Sequence, residues 1–126
     1  MKNKSIFESF KNAFEGIWYC LKKERNFKIH LFATAIILLF SVWLEVSRVE
    51  FAVLCLACAA VICFEIVNTT IELLVDIIVD VYHPKAKIIK DIAAGGVLVC
   101  AFFSIIIGFA ILFDKLLHKI LVIMNW

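Results

Sequence analysis

The feature that most constrains this chain is the length of its uncharged apolar segments. Residues 29–44, 51–64 and 92–113 contain no Asp, Glu, Lys or Arg, and 64% of the 126 residues are hydrophobic. A soluble domain of this size cannot bury that much apolar surface. We therefore predict an all-α integral membrane protein that forms a single domain over residues 1–126.

The second apolar segment carries its polar residues at one end. Residues 51–64 are fewer than the ~20 needed to cross a bilayer, so the crossing helix must continue through Glu65, Asn68 and Glu72 toward Asp76. At ~100° per residue the three carboxylates fall within ~40° of one another. Glu65 then lies ~21 Å into a ~30 Å core, with Glu72 at the far interface. Ionisable groups at such depth are costly and usually functional.

The other elements follow from caps and periodicity. Ser5 and Glu8 have capping-box spacing at the start of an amphipathic helix, and Pro84 favours the first turn of another. The amphipathic helix is expected to lie on the membrane surface. The tail after residue 113 is expected at the interface. We predict a surface helix over 5–23 and membrane helices over 27–46, 49–80 and 84–113.

The distribution of positive charge predicts the topology. Of the 13 Lys and Arg residues, seven precede the first span and three lie in the second connection, which puts ten on one side. The positive-inside rule then places the N-terminus and residues 82–91 in the cytoplasm. We expect a multi-pass protein of the inner (cytoplasmic) membrane whose polar clusters all lie at the cytoplasmic leaflet.

Carboxylates and lysines at a membrane surface suit Mg²⁺-assisted phosphoryl transfer. A submerged Glu65 would be a stronger base than a solvated carboxylate and could accept a hydroxyl proton. The alternative is structural: Glu65 could pair with a lysine or hydrogen-bond Asn68 or Thr69. With glycine only at positions 16, 95, 96 and 108, neither a Walker A loop nor a kinase glycine-rich loop can form.

Three motifs give the chain a family resemblance. They are Glu24-Arg25-Asn26-Phe27-Lys28-Ile29-His30, then Glu65-x-x-Asn68-Thr69-Thr70-Ile71-Glu72-x-x-x-Asp76, then Tyr82-His83-Pro84-x-Ala86-Lys87-x-x-Lys90-Asp91-x-Ala93-Ala94-Gly95. In this order and spacing they resemble the small prokaryotic diacylglycerol kinase family. The resemblance implies a homotrimer, with a surface helix and three membrane helices per subunit, that phosphorylates a lipid hydroxyl with ATP and Mg²⁺.

The same resemblance implies roles for individual residues. Glu65 matches the general base, and Glu24 and Glu72 match the acids that hold the metal. The positions that match nucleotide-binding residues are Asn12, Glu24, Glu72, Tyr82, His83, Lys90 and Asp91, with Asn68 and Asp76 in support. The Tyr-His-Pro and Lys-Asp-x-Ala-Ala-Gly residues of the last motif look more like the undecaprenol kinase branch of the family. This resemblance implies undecaprenol as the substrate, with diacylglycerol as the alternative. No nucleic-acid partner is expected.

An oligomer is also expected on physical grounds, because three helices cannot both surround the acids and screen Glu65 from lipid. The small residues expected at close helix contacts are Ala57, Ala59, Ala60 and the 93–96 run. A proton-coupled transport subunit is the remote alternative, but it predicts acids toward both membrane faces, and residues 51–64 have none. A structural adaptor would not explain the acidic stripe. His30 and His118 are expected to have roles in interfacial packing or hydrogen bonding.

Overall fold

The structure, a computed structural model, describes residues 5–124, and within that range it is entirely helical apart from short connections. The predicted all-α class is thereby confirmed. Residues 1–4 and 125–126, which belong to the predicted single domain, lie outside the described range. The helices are α1 Ile6–Lys23, α2 Arg25–Trp43, α3 Arg48–Ile78 and α4 Pro84–Met124.

Local side-chain caps set two of the helix starts. Ser5 Oγ accepts a hydrogen bond from the Glu8 N–H at 3.2 Å, which caps α1. At α3, Ser47 Oγ accepts from the Glu50 N–H at 3.2 Å, while Glu50 Oε2 accepts from the Ser47 N–H at 2.7 Å. This reciprocal capping box satisfies backbone donors that the first helical turn leaves free. It fixes where the chain turns between α2 and α3.

The last helix is longer than the membrane segment predicted over 84–113. α4 continues without a break from residue 114 to Met124, a stretch with neither proline nor glycine. Two lysines of this extension reach back toward the α2–α3 turn: Lys115 contacts Glu50 at 3.0 Å and Lys119 contacts Glu45 at 2.9 Å. These contacts hold the extension beside the turn instead of leaving a separate interfacial tail.

The packing is organised around α3, on which α2 and α4 both lie, while α1 touches α2 and α3. Small residues allow α3 and α4 to approach closely. A Cβ added at Gly96 would lie 3.2 Å from Cδ1 of Phe64, and Ser104 Oγ donates to the Ala57 carbonyl at 3.1 Å. Gly96 and Ala57, which were expected at close helix contacts, therefore make such contacts within one chain.

Three of the helices, α2, α3 and α4, are long and apolar enough to cross a membrane. Many of their large apolar side chains are exposed in the isolated chain, among them Phe32, Leu56, Leu98 and Ile105, which are 69–72% exposed. Such side chains are stable against lipid tails or another apolar surface, and unfavourable against water. The fold is that of a multi-pass membrane protein.

Candidate functional site

One carboxyl group is buried where the three long helices meet. Glu65 of α3 is 2% exposed in the single chain. The expectation that three helices could not screen this carboxyl group was therefore wrong, because α2 and α4 of the same chain cover it. Glu65 faces a cavity of about 200 Å³ together with Asn68 of the same helix and Asn26 and His30 of α2. The α4 side of this cavity consists of Ala94, Val97, Leu98 and Ala101. Glu65 therefore stands in a small chamber that is apolar on one side and polar on the other.

Asn68 links this chamber to the next carboxylate on α3. Its Nδ2 donates a hydrogen bond to Oε1 of Glu72 at 3.0 Å. Its Oδ1 is buried with no hydrogen-bond partner in the described part of the chain, and the same holds for Oγ1 of Thr69. Buried polar atoms without partners are rare and usually indicate a missing ligand, ion or water. The chamber thus presents one unsatisfied acceptor, Oδ1 of Asn68, beside the carboxyl group of Glu65.

Glu24 reaches the same region from the junction of α1 and α2. Its N–H donates to the Cys20 carbonyl at 2.8 Å and ends α1, while its side chain makes no capping bond to α2. Glu24 and Glu72 both lie close enough to Glu65 for their charges to act on it. Burial raises the pKa of the Cys20 thiol, and the Glu24 and Glu65 carboxylates act in the same direction. Acids from two separate segments therefore converge on one place.

A second, more polar cavity of about 520 Å³ lies where α3 ends and α4 begins. Nζ of Lys90 contacts Oδ1 of Asp76 at 2.8 Å, and Lys87 pairs with Asp91. All four side chains line the cavity. Exposed ion pairs of this kind contribute only ~0–1 kcal/mol to stability, so an incoming anion could displace a carboxylate from its lysine at little cost.

The remaining predicted residues are divided between this cavity and α1. Tyr82, 80% exposed, and His83 both line the polar cavity. His83 Nδ1 accepts a hydrogen bond from the Lys85 N–H at 3.2 Å, which orders the loop before α4. Asn12 is exposed on α1 and lines neither cavity. It lies twelve positions before Glu24, or ~18 Å along the helix.

Glu72 stands between the two cavities, one helical turn from Asn68 and one turn from Asp76. The buried chamber can receive an apolar molecule with a single polar group. The charged cavity can receive a polar, anionic one. The arrangement is therefore suited to a reaction between a membrane-embedded acceptor and a water-soluble donor.

Sequence reasoning missed His30 as a site residue, since it predicted interfacial packing or hydrogen bonding for this side chain. The structure places His30 in the Glu65 chamber beside Asn26. The spacing of four residues between Asn26 and His30 puts both on one face of α2, and that signal could have identified them. The α4 wall had no comparable signal, because small apolar residues occur throughout that helix.

The chain is similar to proteins of a known family over most of its length. The family model for prokaryotic diacylglycerol kinase matches residues 11–112, which include both cavities' polar residues. The chain belongs to the prokaryotic diacylglycerol kinase family. The predicted family is confirmed, and as a member of it the chain is a lipid kinase. The α4 extension beyond residue 112 lies outside the match.

Two relatives within this lipid kinase family carry different substrate names. The chain is 42% identical to an undecaprenol kinase of Bacillus subtilis over 111 residues, which cover 88% of this chain and 90% of that protein. It is also 37% identical to a diacylglycerol kinase of Synechocystis over 114 residues. That second alignment covers 90% of this chain and 65% of the Synechocystis protein.

Proposed function

We propose that this lipid kinase transfers the γ-phosphoryl group of ATP to the hydroxyl of undecaprenol, forming undecaprenyl phosphate. The observation that carries the proposal is the burial of Glu65, which is 2% exposed, in a chamber lined by residues of α2, α3 and α4. A lipid hydroxyl enters such a chamber without bringing a large polar group with it. The 42% identity to an undecaprenol kinase supports this choice of lipid.

In the proposed reaction Glu65 is the general base. Its carboxylate accepts the hydroxyl proton while the hydroxyl oxygen forms a bond to the γ-phosphorus and the bond between that phosphorus and ADP breaks. A carboxylate removed from water is a stronger base than a solvated one, and it must lie within hydrogen-bond reach of the hydroxyl. The chamber of about 200 Å³ around Glu65 leaves room for that hydroxyl.

The donor set near Glu65 fits Mg²⁺. Glu24 and Glu72 would hold the ion, and Asn68 orients Glu72 through its 3.0 Å hydrogen bond. Among the described residues no three metal-ligating side chains form a cluster of their own. Mg²⁺ is usually bound by one or two carboxylates plus substrate phosphates, so Glu24 and Glu72 would be enough to hold it with ATP. Bound there, Mg²⁺ would neutralise charge on the transferring phosphoryl group.

The polar cavity at the α3–α4 junction is the proposed nucleotide site. Lys90 would neutralise phosphate charge after leaving Asp76, and Tyr82, His83 and Asp91 would line the rest of the nucleotide. Asp76 supports the site by holding Lys90 in place when it is empty. Asn12 would complete the nucleotide site from α1. Because Asn12 lies ~18 Å along that helix from Glu24, it would contact a different part of the nucleotide from Glu24.

We further propose that the enzyme is a homotrimer with its site and N-terminus at the cytoplasmic face of the inner membrane. Apolar and small residues on the outer side of α3 recur at alternating intervals of three and four, as in a coiled-coil seam. They are Val53, Leu56, Ala60, Cys63, Val67, Thr70, Leu74 and Ile77, all at least partly exposed in the single chain. On α1, apolar side chains such as Phe10 and Phe14 remain exposed and would enter the headgroup layer.

The test is ATP turnover with undecaprenol and, separately, diacylglycerol in mixed micelles with Mg²⁺. We expect faster turnover of undecaprenol per unit of lipid. Glu65→Gln should lower kcat by at least 100-fold, because general-base catalysis typically contributes 10²–10⁴-fold. Glu15→Gln, an exposed carboxyl on α1, is the matched control and should leave turnover unchanged. Wild-type turnover by Glu65→Gln would remove the proposed base.

Diacylglycerol is the second candidate substrate, on the strength of the 37% identity to a diacylglycerol kinase. The same residues would act in the same way on its hydroxyl. Faster turnover of diacylglycerol than of undecaprenol in the same micelles would replace the preferred substrate and leave the mechanism intact.

A further inference from the structure

A long apolar groove continues from the Glu65 chamber. It has a volume of about 620 Å³ and shares His30 and Ala101 with that chamber. From there its lining runs along α2 to Ile37, along α3 to Leu54 and along α4 to Leu116. From Ala101 to Leu116 the groove follows α4 for ~22 Å. The groove therefore adjoins the chamber and runs away from the buried carboxyl.

The groove lies where α2 and α4 both pack on α3, and several of its lining residues are small. Ser104 ties α4 to α3 by donating to the Ala57 carbonyl at 3.1 Å. Ala33 and Ala101 also line it. Gly108 faces it as well, and a Cβ added there would meet no atom within 4 Å. A larger side chain at position 108 would consequently project into the groove itself.

The volume of the groove indicates what could fill it. A transmembrane helix ~22 Å long and ~10 Å across would occupy roughly 1,700 Å³, so it could rest on this open groove but could not lie within it. If a carbon of a hydrocarbon chain takes about the volume of a water molecule, ~30 Å³, the groove holds about 20 carbons. That is enough for one chain and too little for two side by side.

We propose that this groove holds one hydrocarbon chain of the lipid substrate and that Gly108 determines how far the chain enters. The inference rests on the proposed function, because it assumes that the hydroxyl stands at Glu65. Lipid tails are as apolar as the groove, so transfer of the chain from bilayer to groove has little hydrophobic driving force. The shape of the groove, and not its hydrophobicity, therefore decides which lipid chain it accepts.

The test compares Gly108→Leu with Ala110→Leu. Ala110 is exposed two positions further along α4 and does not line the groove, so its variant controls for added bulk in the same helix. With undecaprenol, expressed as mole fraction in mixed micelles, Gly108→Leu should raise KM about tenfold, because overfilling a packed space costs as much as such a factor. With geraniol, whose chain is too short to reach position 108, KM should not change. Gly108→Ala should give an intermediate increase with undecaprenol.

Two results would overturn the groove. One is an unchanged KM for undecaprenol in a folded Gly108→Leu protein, and the other is an equal loss for both alcohols. A photoreactive polyprenol adds a readout that does not need turnover: adducts should map to groove-lining residues between 104 and 112, and those beyond position 108 should disappear in Gly108→Leu. Adducts confined to lipid-facing Phe102 and Phe103, or cross-links showing a second copy of the chain in the groove, would refute it. If no alcohol is phosphorylated but the adducts map as expected, the proposed reaction fails and the groove stands.

Discussion

The hydrogen bond from Asn68 to Glu72 offers the sharpest test of how the site is held together. Nδ2 of Asn68 lies 3.0 Å from Oε1 of Glu72, and Asn68 is 6% exposed. Hydrogen bonds to charged groups are worth about 1.5–3 kcal/mol, and loss of a group that orients a metal ligand typically costs 10–100-fold in metal affinity. Asn68→Ala should therefore raise the Mg²⁺ concentration for half-maximal activity at least tenfold.

The assay is an Mg²⁺ titration of undecaprenol phosphorylation at saturating ATP. Asn26→Ala is the matched control, since Asn26 lines the same chamber and makes no hydrogen bond to Glu72. It should leave the Mg²⁺ dependence unchanged. Asn68→Asp should be worse than Asn68→Ala, because it places a second negative charge about 3 Å from Glu72. An Asn68→Ala protein with lower kcat but an unaltered Mg²⁺ titration would refute the assignment of Glu72 as a metal ligand.

Three other outcomes are expected. Gly95→Ala should stabilise the protein by up to ~1 kcal/mol in thermal unfolding, because alanine has the higher helix propensity. Gly96→Ala should stabilise it less, because the Phe64 ring must move to make room for the new methyl group. Equal stabilisation by the two variants would contradict the close approach of α3 and α4. Lys90→Ala should raise the KM for ATP with a stability change under ~1 kcal/mol, while Lys87→Ala on the same exposed turn should raise it less; equal effects would remove the special role of Lys90. The hydrogen bond and charge of Lys119 lower the pKa of Glu45 below its ordinary 4.5. This pair should thus stabilise the fold at pH 7 and lose its effect as the pH falls through the pKa of Glu45. The wild-type protein should therefore be more stable than Glu45→Gln at pH 7, and a difference in stability between them that persists at pH 2 would refute this prediction.

Much of the fold follows from local rules that the sequence makes visible. The N-cap at Ser5, the capping box at Ser47, the proline at position 84 and the three apolar runs each depend only on neighbouring residues. The end of α4 did not follow in this way. The charged residues after position 113 suggested an interfacial tail, but Lys115 and Lys119 find partners more than 60 positions away, and these pairs hold the helix against the α2–α3 turn.

For the candidate site, periodicity placed Glu65, Asn68, Glu72 and Asp76 on one stripe of α3, because that relation lies within a single helix. How this stripe meets α2 and α4 is a tertiary property, and it brought in His30, which periodicity alone had left as an interfacial packing or hydrogen-bonding residue. Gly96 was likewise expected at a close helix contact, but only the fold shows that this contact is with Phe64 of the same chain.

The sequence alone determined that this chain is a membrane protein, because that conclusion depends on the length and composition of its apolar segments. It also determined that the acids of α3 share one helix face, because that conclusion depends on the 3.6-residue helical repeat. Only the tertiary structure decided that Glu65 opens into a chamber and that a groove adjoining it runs to Leu116. The volume between three helices depends on which small side chains face one another, and residues as far apart as Ala57 and Ser104 meet only after the chain has folded.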